Sequence, residues 1–278
     1  MPIQSGSGQS AGYLHRLSAI VSTSARQLVS SASQAHRTEA AQKVTRQTLL
    51  AFVSAFILMG VLMIWIDAQE IALMPPRGTA GLWPFRILTD FGKDNYVLLL
   101  LTFLLVSVVL VAAAAYDSAR QRLLAIGVNL QFILLALSIP LAAGEVLKWV
   151  AGRGRPFVGG QANAFNFVPF AGTEAHASLP SAHSITAFAL AFAVAAAWPR
   201  LRGLAIAYAL LIAFTRLVLL AHHPSDVVAG AAIGIIGAMW VRYWFAARGL
   251  GFVVGEGGII SPAANEPLKG VAAGAPAS

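Results

Sequence analysis

What most limits the folds open to this chain is a series of long apolar runs that keep neither helical nor strand period. Runs of about 18 or more residues with few charges are read as membrane spans. Six occur here, at about Leu49 to Ile66, Val97 to Ala115, Leu123 to Ala143, Pro180 to Trp198-Pro199, Leu204 to Leu220 and Val227 to Ala247. The expected fold is therefore all-α, a polytopic membrane protein built as a bundle of six transmembrane helices. Composition points the same way: 58% of residues are hydrophobic and 11% charged, against roughly a quarter charged in a soluble domain. The chain has no cysteine, which excludes disulfides, thiolate zinc sites and cysteine nucleophiles. A net charge of +8 would suit nucleic acid, but the cations form no stripe with interleaved aromatics, and several stand at the ends of apolar runs. The bilayer is the expected partner, and nucleic acid is not.

Three regions follow. Residues 1–48 are rich in Ser, Ala and Gln, carry Arg16, Arg26, Arg37, Lys43 and Arg46, and hold no apolar stretch resembling a signal-peptide core. They are read as a partly disordered cytoplasmic tail. Residues 49–247 form the six-span domain, and residues 248–278, rich in Gly, Ala and Pro, are read as a disordered tail. Six spans put both termini on one side. With that side inside, twelve of the nineteen Lys and Arg residues lie in inner segments, as positive-inside bias requires. The opposite face, periplasmic in a bacterium, receives three segments that place charge where lipid makes it costly.

The first segment runs from Lys148 through Arg153 and Arg155 to Pro156. The second, Pro180-Ser181-Ala182-His183, opens the fourth span, where unpaired helix amides can bind an anion. The third holds Thr215-Arg216, His222 and Asp226. Arg216 sits in an apolar run, where a cation costs about 3 kcal/mol on insertion scales unless it is paired or faces a polar cavity. A snorkelling residue is the alternative, weakened by two other polar segments on the same face. If residues 222–226 are helical, His222 and Asp226 share a face and make a nucleophile with its orienting carboxylate. A polar interface marked by His222-His223 is the other reading. One segment supplying His222, His223 and Asp226 is a poor metal site without further clustered carboxylates.

Lys148-x6-Arg155-Pro156, Pro180-Ser181-Ala182-His183 and Arg216-x5-His222-x3-Asp226 together resemble the signature K-x6-R-P, P-S-G-H, S-R-x5-H-x3-D of the type 2 phosphatidic acid phosphatase superfamily. The resemblance covers about residues 50–247. Ala182 stands in place of the usual glycine and Thr215 in place of the usual serine. The resemblance implies that His222 attacks phosphorus and that Asp226 holds its ring. His183 is implied as proton donor to the leaving group and then as base toward water. Lys148, Arg155, Arg216, Ser181 and the amide of Ala182 would cradle the phosphate, with no metal or other cofactor. Arg153, outside the strict pattern, is expected to serve the head group or bind water, and Glu145 to pair with Lys148 or mark a span boundary. The substrate is expected to be a lipid phosphate: undecaprenyl pyrophosphate, phosphatidylglycerol phosphate, phosphatidic acid or a lipid A phosphate. Phosphoryl transfer to an acceptor hydroxyl is the runner-up reaction, and a transporter the remote alternative.

Overall fold

A backbone in hydrocarbon must satisfy its own N–H and C=O groups, and a helix does so within one segment. The apolar runs accordingly become helices in a computed structural model of the protein, which describes residues 7–31, 37–156, 158–160 and 162–263. Helix α1 (Ser7–Val29) precedes α2 (Arg37–Trp65), which leads into the short α3 (Asp67–Leu73). Next come α4 (Trp83–Asp90), α5 (Asp94–Ala114), α6 (Asp117–Ala151), α7 (Ala182–Ala197), α8 (Arg202–Val218) and α9 (Pro224–Ala246). Five helical segments are long and apolar enough to cross a membrane: Arg37–Trp65, Ala80–Ala114, Asp117–Ala151, Pro199–Val218 and Pro224–Ala246. Helix α7, apolar but only 16 residues long, reaches about 24 Å against a hydrocarbon layer of roughly 30 Å.

Helix α7 is enclosed by α6, α8 and α9, and its Ile185, Ala187, Ala189 and Ala193 are fully buried. Lipid offers no hydrophobic drive for helices to associate, so close backbone approach through small residues does the work. Gly230 and Gly234 of α9 supply it: a Cβ on Gly230 would stand 2.5 Å from the Ser181 carbonyl oxygen, and one on Gly234 2.5 Å from that of Ile185. At the end of this seam the Ser181 N–H donates to the Asp226 carbonyl at 3.1 Å. Helix contact and site assembly are thus one packing event.

Both expected tails contain ordered elements. Within residues 1–48, Ser7–Val29 is helix α1, and α2 already begins at Arg37. Tyr13, Leu17, Ile20, Ser24 and Leu28 are half-buried at helical spacing, the stripe expected of an amphipathic helix against a bundle. Tyr13 Oη donates to the Leu110 carbonyl of α5 at 3.3 Å, and Ser24 Oγ to Gln131 Oε1 of α6 at 3.1 Å. The described residues are mostly helical, as expected, with one addition after α9: a hairpin of β1 (Phe252–Val254) and β2 (Ile260–Pro262) stands in the stretch read as a disordered tail. Phe252 anchors it, buried edge-on against Phe132 at 4.8 Å between ring centroids, and Phe132 meets Phe245 at 5.4 Å. Gly258 lies so close to α2 that a Cβ there would be 2.6 Å from the Ala40 nitrogen. The rest of that tail, from residue 264 on, lies outside the described residues.

Gly234→Val should therefore push α9 off α7 and cost about 1–3 kcal/mol of stability. Gly203→Val, where a Cβ meets nothing within 4 Å, should stay within about 0.5 kcal/mol of the parent. Unfolding in detergent micelles, followed for both variants, reads the difference.

Candidate active site

The local sequence explains why three distant segments converge. Helix α6 stops at Gly152, which adopts φ 55° and donates its N–H to the Lys148 carbonyl at 2.9 Å. Glycine is required there, because a Cβ would lie 1.8 Å from the Val168 carbonyl oxygen. Gly154 N–H to Asn166 O and Val168 N–H to Gly152 O, both 2.8 Å, then stitch the following loop and turn Arg153 inward. Helix α7 is capped by Ser181, whose Oγ accepts from the Ser184 amide at 3.4 Å and from Ser184 Oγ at 3.0 Å. Ala182 opens this helix, a backbone that tolerates a side chain. Helix α8 ends in a Schellman turn: Leu220, at φ 47°, donates to Leu217 O, and the Ala221 N–H to Arg216 O. Pro224 is the first residue of α9, with His223 as its N-cap.

His222 therefore lies just before α9 rather than within it. Its ring is almost wholly buried, with Nδ1 2.8 Å from the Ser178 carbonyl oxygen. A carbonyl only accepts, so Nδ1 carries the proton and Nε2 keeps its lone pair. The Asp226 carboxylate is 4.0 Å from Nδ1, and the expected carboxylate–imidazole hydrogen bond is not made, because the two residues do not share a helical face. Asp226 accepts instead from Ser178 Oγ at 2.6 Å, the His223 amide at 2.9 Å and Arg153 Nη1 at 2.6 Å. It thus holds the residue whose carbonyl holds the ring. Burial, and then the positive charges of Arg216 and Arg155, keep the His222 ring well below the usual imidazole range and hence neutral.

Of the remaining motif residues, Arg216, Arg155 and His183 lie close enough for their charges to act on this histidine. His183 Nε2 is buried and has no hydrogen-bond partner within the protein, and the charges of Arg216, Lys148 and Arg155 act on its ring. Lys148 donates to Glu145 Oε1 at 2.5 Å. Arg155 donates to the Glu174 carbonyl at 2.8 Å and carboxylate at 3.2 Å, and to the Ala221 carbonyl at 3.3 Å. Arg216 is buried in α8, with Nη1 donating to Thr89 Oγ1 at 2.6 Å and Nε left without a partner. The Thr215 hydroxyl turns back to the Ile212 carbonyl at 2.6 Å and so serves its own helix. Among the described residues no three His, Asp or Glu side chains are grouped to hold a metal ion.

Arg153 is the correction with the largest consequence. Placed by the sequence at the head group or against water, it is 0% exposed. Its guanidinium donates to Asp226 Oδ1 and Ser225 Oγ, both at 2.6 Å, and to Asp67 Oδ2 and the Ala164 carbonyl, both at 2.7 Å. Asp67, fully buried at the start of α3, also accepts from the Ser225 amide at 3.1 Å. One available signal was an acidic residue directly after the first apolar run. Beside this network stands Glu70, buried, with both carboxyl oxygens unpartnered. Burial first, then Asp67 and Asp226, push its pKa up to about 8.

Removing one member of a buried charge network leaves the others uncompensated, at about 3–5 kcal/mol. Arg153→Met should lose stability on that scale, and Arg153→Met with Asp67→Asn should recover part of it, as measured by unfolding in detergent. Glu70 generates a pH signature. Between its ordinary value of 4.5 and about 8 the folded protein holds a proton that the unfolded chain releases, so stability falls as pH rises through that window. Glu70→Gln should flatten the fall in melting temperature between pH 5 and 9.

Residues 129–250 match the PAP2 superfamily. A lipid A 1-phosphatase of Rhizobium johnstonii is 40% identical over 114 residues, covering 41% of this chain and 47% of that protein. A lipid A 1-phosphatase of Rhizobium etli is 34% identical over 151 residues, covering 54% of this chain and 65% of that protein. The chain thus spans between about half and two thirds of the length of these relatives. No solved structure matches. The region that matches the PAP2 superfamily contains every motif position from Lys148 to Asp226.

Proposed function

We propose that the protein is an integral membrane phosphatase that hydrolyses a phosphate ester or anhydride of a lipid through a phosphohistidine on His222. The observation that carries this reading is the Nδ1 contact of His222 to the Ser178 carbonyl, which leaves a neutral Nε2 as nucleophile. Nε2 attacks phosphorus, the bond from phosphorus to the leaving oxygen breaks, and His183, which takes up a proton once the negative charge of the bound phosphate offsets the surrounding cations, gives that oxygen its proton through the nitrogen that has no protein partner. His183 then takes a proton from water as the water oxygen attacks phosphorus. The P–N bond breaks, its electron pair returns to His222, and inorganic phosphate leaves. Arg155, Arg216 and Lys148, with Ser181 and the Ala182 amide, stabilise the charge that builds on the phosphoryl oxygens. Cations fill the part a metal plays in other phosphatases.

Helix α7 counts as a sixth span in this reading. The ends of α6 and α8 and the starts of α7 and α9 all carry candidate site residues, an arrangement that supports α7 returning the chain across the bilayer. Both termini then face the cytoplasm, by the bias of positive charge, and the site faces the periplasm. The names of the two relatives favour a phosphorylated glycolipid of the lipid A kind among the candidate substrates.

Purified full-length protein should release inorganic phosphate from lipid A or another member of a lipid phosphate panel. His222→Ala should lower turnover by at least about 10³-fold, and His223→Ala far less. Acid quench with phosphorus-labelled lipid should trap label on the parent and none on His222→Ala. Full activity in His222→Ala would sink the scheme, and label passing to a second lipid would identify a transferase.

A further inference from the structure

The proposed reaction uses Lys148, Arg155 and Arg216 and leaves two arginines at the same end of the bundle without a role. Arg77 follows α3, and Arg86 lies on α4. Both line a cavity of about 240 Å³ together with Arg216. By the share of liquid volume that water takes, that is room for about eight molecules, more than one phosphoryl group needs. The wall toward the nucleophile is Ala221, the residue before His222, whose carbonyl accepts from Arg155. Neither His222 nor His183 lines the cavity, and none of its described lining residues is acidic.

The position of Arg86 is set by the site itself. Thr89, which accepts the hydrogen bond from Arg216 Nη1 at 2.6 Å, stands three residues after Arg86 on α4, and side chains at that spacing share one side of a helix. Helix α4 is in turn fastened to α8. Phe85 meets Phe214 edge-on at 6.1 Å, and Tyr208 Oη donates to the Phe91 carbonyl at 2.9 Å. Arg77 and Arg86 are exposed where Arg216 is buried, so the cavity leads from the outside to the catalytic arginine. Arg216 Nε, buried and without a partner, belongs to the same lining side chain. Three guanidinium groups border this one space, and an anion placed among them is attracted by all three. The phosphate under attack already meets three cations in the proposed cradle.

We propose that Arg77 and Arg86, with Arg216 shared between the two sites, form a second anion subsite. It takes an additional anionic group that the substrate carries beside the phosphate being cleaved. The inference rests on His222 being the nucleophile, which fixes where that phosphate lies. Two sources share this chemistry: the inner phosphate of a lipid diphosphate, and a separate anionic group on a larger head group.

The test uses the full chain in detergent, as parent, Arg77→Gln, Arg86→Gln and the double variant, each checked for an unchanged melting temperature. Three substrates are compared: phosphatidic acid with one phosphate, farnesyl diphosphate with two in sequence, and bisphosphorylated lipid A with two apart. The double variant should lose about tenfold or more in kcat/KM, the scale of a charge-assisted hydrogen bond, on at least one of the two-anion substrates. On phosphatidic acid it should lose under about threefold. Which two-anion substrate suffers identifies the source. Equal losses on all three, or none on any, would overturn the subsite. A second arm needs no turnover: inorganic pyrophosphate should raise the melting temperature of His222→Ala protein more than orthophosphate does, and Arg77→Gln with Arg86→Gln should abolish the difference. If the parent cleaves no lipid phosphate, the proposed function fails while this binding arm still decides the subsite. A pyrophosphate advantage that survives both substitutions would refute it.

Discussion

The carboxylate of Asp226 is the point through which packing, charge burial and ring orientation all pass. It accepts from Arg153, from Ser178 and from the amide of His223, and the carbonyl of the same residue accepts from the Ser181 amide. Those four contacts join the loop after α6, the loop before α7 and the start of α9. A carboxylate taken out of water needs such company, since Born cost and lost hydrogen bonds would otherwise exceed what folding returns. Arg153 compensates the charge, and Asp67 on α3 completes the compensation of Arg153. The His222 ring is oriented at the end of this chain of contacts rather than by the carboxylate itself.

The α7–α9 seam works at the same end. Gly230 and Gly234 let the two backbones approach, and the approach sets the separation between the residue that opens α7 and the residue that precedes α9. His183 and His222 therefore owe their proximity to the absence of two β-carbons on α9. Ala182, where the family pattern has glycine, is accommodated because it begins a helix. Thr215, where the pattern has serine, uses its hydroxyl within α8. Neither departure removes a group from around His222.

Much of this was legible from residue order. Long apolar segments could be read because hydrocarbon demands them, and five helical segments are long and apolar enough to cross a membrane; the candidate site was read from the resemblance of the motifs that hold Lys148, Arg155, His183, Arg216 and His222 to a family signature. What could not be read depended on partners distant in sequence. Arg153 looked like a surface cation, since nothing near it shows that Asp67 reaches it from α3. The spacing of His222 and Asp226 implied a shared helical face, but Pro224 starts the helix between them. Helix α1 hid in a stretch of Ser, Ala and Gln, because its half-buried stripe gains meaning only against α5 and α6. The hairpin hid in a glycine-rich stretch whose anchoring residue, Phe252, meets an aromatic partner, Phe132, more than a hundred residues earlier in the chain.

That hairpin also bears on the order of assembly. A chain is made from its N-terminus, and its early parts begin to fold before its late parts exist. Helix α2 is made well before the hairpin, yet the backbone it receives near Ala40 belongs to Gly258, and Phe132 likewise precedes its partner Phe252 in the chain. The seat that α2 offers near Ala40 is therefore filled by a strand pair that comes after α9 in the chain, so this contact closes over the first long helix only once residue 258 has been made.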